Sequence, residues 1–342
     1  MYKLETFISK KFRPEILSSK LDKEHFTRLN LSLEKNLEKF PVKFVNSICF
    51  GPKKDNVLIT LEHAANKIDS ILVFYYEDIH SRWSYINYNE ECLFIYRKND
   101  QEQFLIKPKL LYIRGCSIGI DDENWTVLGN FFSYIELWDD KVLCSPQKQT
   151  SNESKLFQLN NSIKKVSKDF TSISIGKSYV VKGVNRYKQL DKDISYIVKS
   201  LSGIRSLVVD NASYEKWNLN NLDSLPTLFQ EKVNGSDLRI HTLYDKLFAK
   251  LSIEKDNVDY RYDKAFFNLK EIKIRDTELV AFCREVSKEE SNPFLGIDFI
   301  KTKSRYVVLE ANPSPGWSAY YPYNGIDLGP FIPELLSVLK NG

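Results

Sequence analysis

The stretch Gly296–Gly316, GIDFIKTKSRYVVLEANPSPG, decides how the rest of the chain is read. Two apolar runs, Leu295–Lys301 and Tyr306–Glu310, flank a basic, polar turn, so the segment predicts an antiparallel pair of strands. Three oxygen-bearing side chains stand in it: Asp298, Glu310 and Asn312. Strand side chains alternate between faces, so Glu310 and Asn312, two apart, share one. Asp298, on the preceding strand, is placed to face them across the pair. Two carboxylates and an amide oxygen on one surface make a hard-oxygen site of the kind Mg2+ prefers, with room kept for phosphate oxygens. Taken alone, the same residues also suit the solvated ends of two strands. The loop Asn312-Pro313-Ser314-Pro315-Gly316 follows at once. Its prolines and glycine leave backbone N–H groups unpaired, which suits either a plain turn or the holding of an oxyanion.

Working outward, the next informative segment is Phe229–Arg239, FQEKVNGSDLR. A strand that ends in a glycine turn and then an acid suits a nucleotide. Backbone groups near Glu231–Val233 match an adenine edge, and Asp237 can accept from a ribose hydroxyl. A hinge between domains is the other reading, and ligands often bind at such junctions. Basic residues complete the pattern. Lys182 lies in the apolar run SYVVKGV, where a lysine must snorkel or meet an anion. Lys155 lies on the helix predicted over Ser151–Lys165, Arg239 in SDLR and Arg261 in VDYRYD. Each alone reads as a surface charge. Together, around carboxylate-bound Mg2+, they are what phosphoryl transfer requires, because there the protein positions groups and neutralises charge.

The remaining pattern sets a mixed α+β and α/β class. Phe44–Phe50 and Val57–Glu62 read as strands around a Gly51-Pro52 turn, after one or two helices in Leu17–Phe40. Ser70–Asp78, Cys92–Arg97 and Leu110–Arg114 read as strands, and Leu128–Leu137 as a helix, together a small α/β domain. Cys144–Thr150 reads as a linker. Ser178–Val184, Arg205–Asp210 and Pro226–Val233 read as strands, Lys188–Ser200 and Asp276–Val286 as helices, Leu238–Tyr244 with Leu247–Glu254 as a hairpin about Asp245-Lys246, and Phe331–Leu339 as a closing helix.

Composition removes several classes. The 342 residues suit two or three domains, and 42% hydrophobic against 27% charged is an ordinary globular balance, not that of a disordered chain. A net charge of +4 over this length gives no reason to expect nucleic acid. Five cysteines without CxxC or Cys/His spacing point to free thiols in a reducing compartment. No signal-peptide pattern and no membrane-length apolar run is present, so the expectation is a cytoplasmic protein without a membrane partner.

The order Lys155, Lys182, Gln230-Glu231, G-x-D-x-R, D-x-R and D…E-x-N-x-x-P-G resembles the ATP-grasp superfamily of carboxylate ligases. It is similar above all to the branch with the ribosomal-protein glutamate ligases and the graspetide (microviridin-type) peptide macrocyclases. The resemblance covers about Leu143 to Gly342, with a weaker match to a pre-grasp α/β domain before it. It implies an ATP-grasp fold, two α+β subdomains clamping ATP. The layout would be an N-terminal extension over 1–68, a pre-grasp domain over 69–145, a central lid subdomain over 146–235 and a C-terminal subdomain with the metal site over 236–342. By the resemblance Lys155 and Lys182 hold phosphates, Gln230, Glu231 and Val233 adenine, and Asp237 the ribose. Asp298, Glu310 and Asn312 carry two Mg2+, Arg261 stabilises an acyl phosphate, and Arg239 serves substrate or structure. The chain departs from the pattern in lacking a glycine-rich lid, with only Gly183 and Ser202-Gly203 available, and in carrying Tyr262-Asp263 after Arg261.

The implied activity is ADP-forming ligation of a carboxylate to an amine or hydroxyl. The expected substrate is a precursor peptide, gripped by the first 68 residues and exposed tyrosines. A free amino-acid ligase making a dipeptide or small-molecule amide is the alternative. A non-catalytic nucleotide-binding module is a third reading, against which the intact Asp298/Glu310/Asn312 set argues. Oligomers are common in the superfamily, and no sequence feature marks an interface.

Overall fold

The computed structural model describes residues 41–342 apart from 80, 89–90, 99–101, 116–121, 153–154, 192, 201–225, 253–268 and 323–328. The helices expected in Leu17–Phe40, the strand Arg205–Asp210 and Arg261 lie outside the described residues.

The chain enters on β1 (Val42–Gly51), then α1 (Asn56–Ala65), β2 (Ile71–Tyr75), β3 (Trp83–Tyr88), β4 (Glu91–Arg97), β5 (Gln103–Ile113), α2 (Asp122–Ile135) and β6 (Val142–Leu143). The strands form one sheet in the order β2-β1-β5-β4-β3, with β6 beside β5. β1 runs parallel to both β2 and β5. Parallel neighbours need a crossover between them, and α1 supplies it. This corrects the strand expected over Val57–Glu62. The Asp55 carboxylate accepts from the Leu58 backbone N–H at 3.0 Å and caps a helix. Val57, Leu58, Leu61 and Ala65 are then buried at helical spacing, which outweighs the strand preference of valine, isoleucine and threonine. Among the described residues, β1 and α1 therefore lie in the same α/β layer as the strands that follow Asp69.

Four helices and three strands follow: α3 (Pro146–Asn152), α4 (Lys155–Asn160), α5 (Ser162–Ser167), β7 (Ile173–Ile175), β8 (Ser178–Val181), α6 (Val184–Tyr187) and β9 (Tyr196–Ser200). The expected linker at Cys144–Thr150 is largely α3, with Pro146 at the first helical position, where a missing N–H costs nothing. The long helix expected over Lys188–Ser200 is not formed. The Asp191 carboxylate accepts from the Asp193 N–H at 3.0 Å, turning the chain, and Tyr196 and Val198 then alternate inward as a strand. Next come β10 (Thr227–Glu231), β11 (Ser236–Leu243), β12 (Lys246–Ser252), β13 (Leu269–Ile272), α7 (Thr277–Glu289), β14 (Gly296–Lys301), β15 (Tyr306–Asn312) and α8 (Phe331–Asn341).

Strands β8, β10 and β9 make a small antiparallel sheet with its own core of Val181, Tyr196, Val198 and Phe229. The third sheet runs β13-β12-β11-β14-β15-β7. One face of it packs on α5 and α7 through Ile163, Leu279, Phe282 and Val286. Thus 159–175, part of the segment expected in the lid, packs with the C-terminal sheet. α8 buries Phe331, Ile332, Leu335, Leu336 and Leu339 along one stripe. These join Cys49 and Tyr112 of the first sheet to Leu243, Phe294 and Trp317 in a single core. Each such side chain contributes about 1.5–3 kcal/mol on full burial.

Candidate functional site

Five strands of the third sheet bring charged residues into one row. Glu271 on β13 stands opposite Lys250 on β12, Lys250 opposite Arg239 on β11, Arg239 opposite Asp298 on β14, and Asp298 opposite Glu310 on β15. Directly opposed residues share a face, so the row reads acid, base, base, acid, acid. Two residues further along each strand lies a second row on that face, His241, Gly296 and Asn312. The trio expected from sequence is therefore on one surface: Asp298 and Glu310 are direct partners, and Asn312 is one step along the strand from Glu310.

That alignment depends on an irregularity. The turn pairs Lys301 with Tyr306, and strict pairing from there would set Leu309 against Asp298. Between Asp298 and Phe299 the register slips by one residue, so Phe299 faces Val308 and Asp298 faces Glu310. A one-residue slip exchanges the two faces of a strand, and the bulge turns Glu310 to the side of Asp298.

Arg239 is 5% exposed. Its Nη1 lies 2.7 Å from Asp298 Oδ2, and its guanidinium sits 5.5 Å from the Tyr320 ring centre. Behind it, His241 is fully buried, with Nε2 3.4 Å from Arg239 Nε. Arginine has only donors, so Nε2 carries the lone pair and the ring proton sits on Nδ1, 3.4 Å from the Tyr321 hydroxyl. Burial and the neighbouring Arg239 hold His241 well below the usual histidine range. Lys250 Nζ pairs with Glu271 Oε2 at 3.1 Å and lies 4.9 Å from the Tyr321 ring centre.

Asp298, Glu310 and Asn312 are half-buried. Asn312 Oδ1 accepts from the Ser314 N–H at 2.9 Å, which closes the start of the proline loop and uses one of that oxygen's two lone pairs. Arg114, at the carboxyl end of β5, clasps the same loop. Its Nη1 donates to Ser314 O at 2.7 Å and Pro315 O at 2.9 Å, and its Nη2 pairs with Asp55 at 3.1 Å. The carboxyl ends of β1 and β5 are thereby tied to the residues just past the acidic pair. Among the described residues no three His, Cys, Asp or Glu side chains gather at one point, so the third oxygen donor beside the acidic pair is an amide.

The nucleotide-type residues, Asp237 apart, lie on other elements. β8 ends at Val181 rather than Val184, so Lys182 follows the strand and is exposed, next to Gly183 at φ +88°. Lys155 is the first residue of α4. Gln230 is buried in β10. Its Oε1 accepts from Lys199 Nζ at 2.9 Å, and its Nε2 has no partner among the described residues. The Glu231 N–H donates to Lys177 O at 2.7 Å and the Lys232 N–H to Ser195 O at 2.8 Å, so both are committed to neighbouring strands. Val233 stands just past the strand end. Asp237 is buried on β11, on the Arg239 face of the sheet. A cavity of about 280 Å3 lined by Phe74, Trp83 and Tyr96 lies in the first layer and contains none of these residues.

Lys199, Lys250, His241 and Arg114 were not singled out by sequence. Lys199 was hidden by the helix expected there. Lys250 and His241 were accessible from the hairpin: pairing Leu243 with Lys246 and counting back sets Lys250 against Arg239. Arg114 has no local signal, since its partners are about 60 and 200 residues away.

No family model matches the sequence, and no curated protein matches it. Solved structures do match the fold. The chain is similar to a Chryseobacterium gregarium RiPP-associated ATP-grasp ligase in complex with ADP and a leader and core peptide, at 16% identity and TM-score 0.69, over 86% of this chain and 96% of that one. It is similar to the macrocyclase MdnC bound with precursor peptide MdnA from Microcystis aeruginosa MRC, at 16% identity and TM-score 0.64, over 86% and 100%. It is also similar to the ATP-grasp ligase PsnB complexed with minimal precursor, Mg and ADP, at 18% identity and TM-score 0.62, over 86% and 97%. The chain has the ATP-grasp fold.

Proposed function

We propose that this protein is an ADP-forming ligase that activates a carboxylate as an acyl phosphate and joins it to an amine or hydroxyl of a peptide. The observation that carries the reading is the Arg239–Asp298–Glu310 row with Asn312 beside it, on an ATP-grasp fold. The donor set fits Mg2+: two half-buried carboxylates directly opposed, and an amide oxygen with a lone pair to spare. The buried Nε2 of Gln230, without a partner among the described residues, fits a nucleotide base, which offers nitrogen acceptors.

In the proposed first step a substrate carboxylate oxygen attacks the γ-phosphorus of ATP, and ADP leaves. In the second, the acceptor nitrogen or oxygen attacks the acyl carbon, loses its proton, and phosphate leaves. Asp298, Glu310 and Asn312 would hold up to two Mg2+ ions, which supply charge neutralisation to the phosphoryl group. Lys155 and Lys182 are assigned to the phosphates, Gln230, Glu231 and Val233 to adenine, with Val233 the first backbone past the committed N–H groups, and Asp237 to the ribose. Arg239 is a fixed cation beside the acidic pair, suited to charge developing on the transferred group. Arg261 is assigned to the acyl phosphate on its D-x-R motif alone. Peptide rather than free amino acid is favoured by the neighbours whose fold matches, which are complexed with leader, core or precursor peptides.

The test is product analysis with ATP and a short Asp/Glu- and Thr-rich peptide. ADP and phosphate in step with loss of one water per new bond in the peptide is the expected result. AMP and pyrophosphate would refute the mechanism, and ADP release driven by free amino acids alone would refute the peptide assignment.

A further inference from the structure

Arg239 is held from several sides, and one of the holders is the absence of an atom. A Cβ added at Gly296 would lie 2.1 Å from Arg239 Nη2, 2.5 Å from its Cζ and 2.7 Å from Pro315 Cβ. The guanidinium thus lies across position 296 in space that any side chain would fill. On its other edges it meets Asp298 Oδ2 through Nη1, His241 through Nε, and the Tyr320 ring. Gly296 and His241 are neighbours in the second row, directly opposed in the register. Gly296 is in β14 with an ordinary strand backbone, so freedom of φ does not explain the glycine. Nor does the core explain His241, since an apolar ring would pack against Tyr320, Tyr321 and Phe331 without placing an imidazole against an arginine.

We propose that Gly296 and His241 are positioning residues that hold the Arg239 guanidinium in one orientation and so fix Asp298 as a metal ligand facing Glu310. The inference rests on the reading of Asp298 and Glu310 as Mg2+ ligands. A carboxylate free to rotate presents its oxygens to a metal only part of the time. One whose Oδ2 is taken by a buried arginine keeps its plane and presents the other oxygen in a constant direction. Groups that hydrogen-bond a ligand in this way typically matter by about 10–100-fold in metal affinity. A neutral His241 serves the purpose, because its Nε2 lone pair receives the Arg239 Nε–H, whereas an imidazolium would face it with a like charge.

The experiment measures AMPPNP affinity of the full chain by calorimetry, with Mg2+ and with EDTA, alongside thermal melting. In the wild type Mg2+ should strengthen binding. Gly296→Ala should lose about 10–100-fold of that strengthening while affinity in EDTA stays within about twofold. In the Arg239→Ala background His241→Leu should cause no further loss, since the guanidinium it holds is gone, whereas Gly296→Ala still meets Pro315 there. His241→Leu covers the case in which Gly296→Ala does not fold. It should show the same selective loss, and His241→Gln, whose amide oxygen can accept from Nε–H, should recover most of it. Full Mg2+ strengthening in both Gly296→Ala and His241→Leu, or a His241→Leu loss that simply adds to that of Arg239→Ala, would overturn the inference and leave the metal reading intact. No Mg2+ strengthening in the wild type would overturn both.

Discussion

Replacing the Glu310 carboxylate with an amide removes one charge from the acidic pair and hardly changes its volume. Glu310→Gln is expected to abolish ADP formation while the melting temperature stays within a few degrees; turnover at the wild-type rate would refute its place as a metal ligand. Lys182, exposed just beyond β8, has no packing role to lose. Lys182→Ala should weaken ATP binding about tenfold or more, the usual worth of a hydrogen bond to a charged group, as read by calorimetry with AMPPNP. Unchanged affinity would remove it from the phosphates. The shared face of Glu310 and Asn312 was legible in the sequence because strand alternation works over two residues of contiguous chain, whereas Asp298 comes to face them only through the bulge at Leu309. Arg114 was not, because its meaning comes from Asp55 and the Ser314–Pro315 carbonyls, brought together only by the fold.

At the scale of elements, the hairpin β14–β15 depends on counting. With Leu309 as the extra residue, Glu310 lies opposite Asp298 and Ala311 points into the core against Ile297. Deleting Leu309 should straighten the strand yet leave Glu310 facing Asp298, so Mg2+-dependent nucleotide binding survives. Deleting Ala311 should turn Asn312 toward the core position, where an unpaired amide costs about 1–3 kcal/mol in addition to the lost packing, and binding should fail. The reverse outcome, measured by melting and by calorimetry, would refute the register argument. Both strands of this hairpin were readable from their apolar runs, as was α7, whose Asp276 cap accepts from Glu278 and Leu279. The bulge was not, since no residue type marks it. Two of the misread stretches, Val57–Glu62 and Lys188–Ser200, failed for one physical reason. Both are rich in residues of mixed preference, and an Asx-type hydrogen bond with tertiary packing decided the outcome.

At the scale of the molecule, the first and last of the described elements share a core. Phe331 stacks on Tyr321 at 4.6 Å and packs against Trp317 and Phe294, in the cluster that reaches Cys49 and Tyr112 of the first sheet. Phe331→Ala should cost about 3–5 kcal/mol and lower the melting of the first and third sheets together. Two separate transitions, only one of them shifted, would refute the joint core. Burial pushes the thiols of Cys49, Cys144 and Cys283 up, Cys144 to about 12, so all three should resist alkylation in the native protein at pH 8 and react on unfolding, as peptide mass mapping would show. Rapid labelling of any of them in the native state would contradict their burial.

The small sheet β8-β10-β9 has an interior of its own and takes no part in that joint core. The chain enters this sheet from the third one at 176–177 and returns to it at 232–235, so the sheet is expected to move as a unit about those two crossings. Amide exchange should record the difference, with slow, shared protection across the anchored body and faster exchange, slowed by nucleotide, in the small sheet.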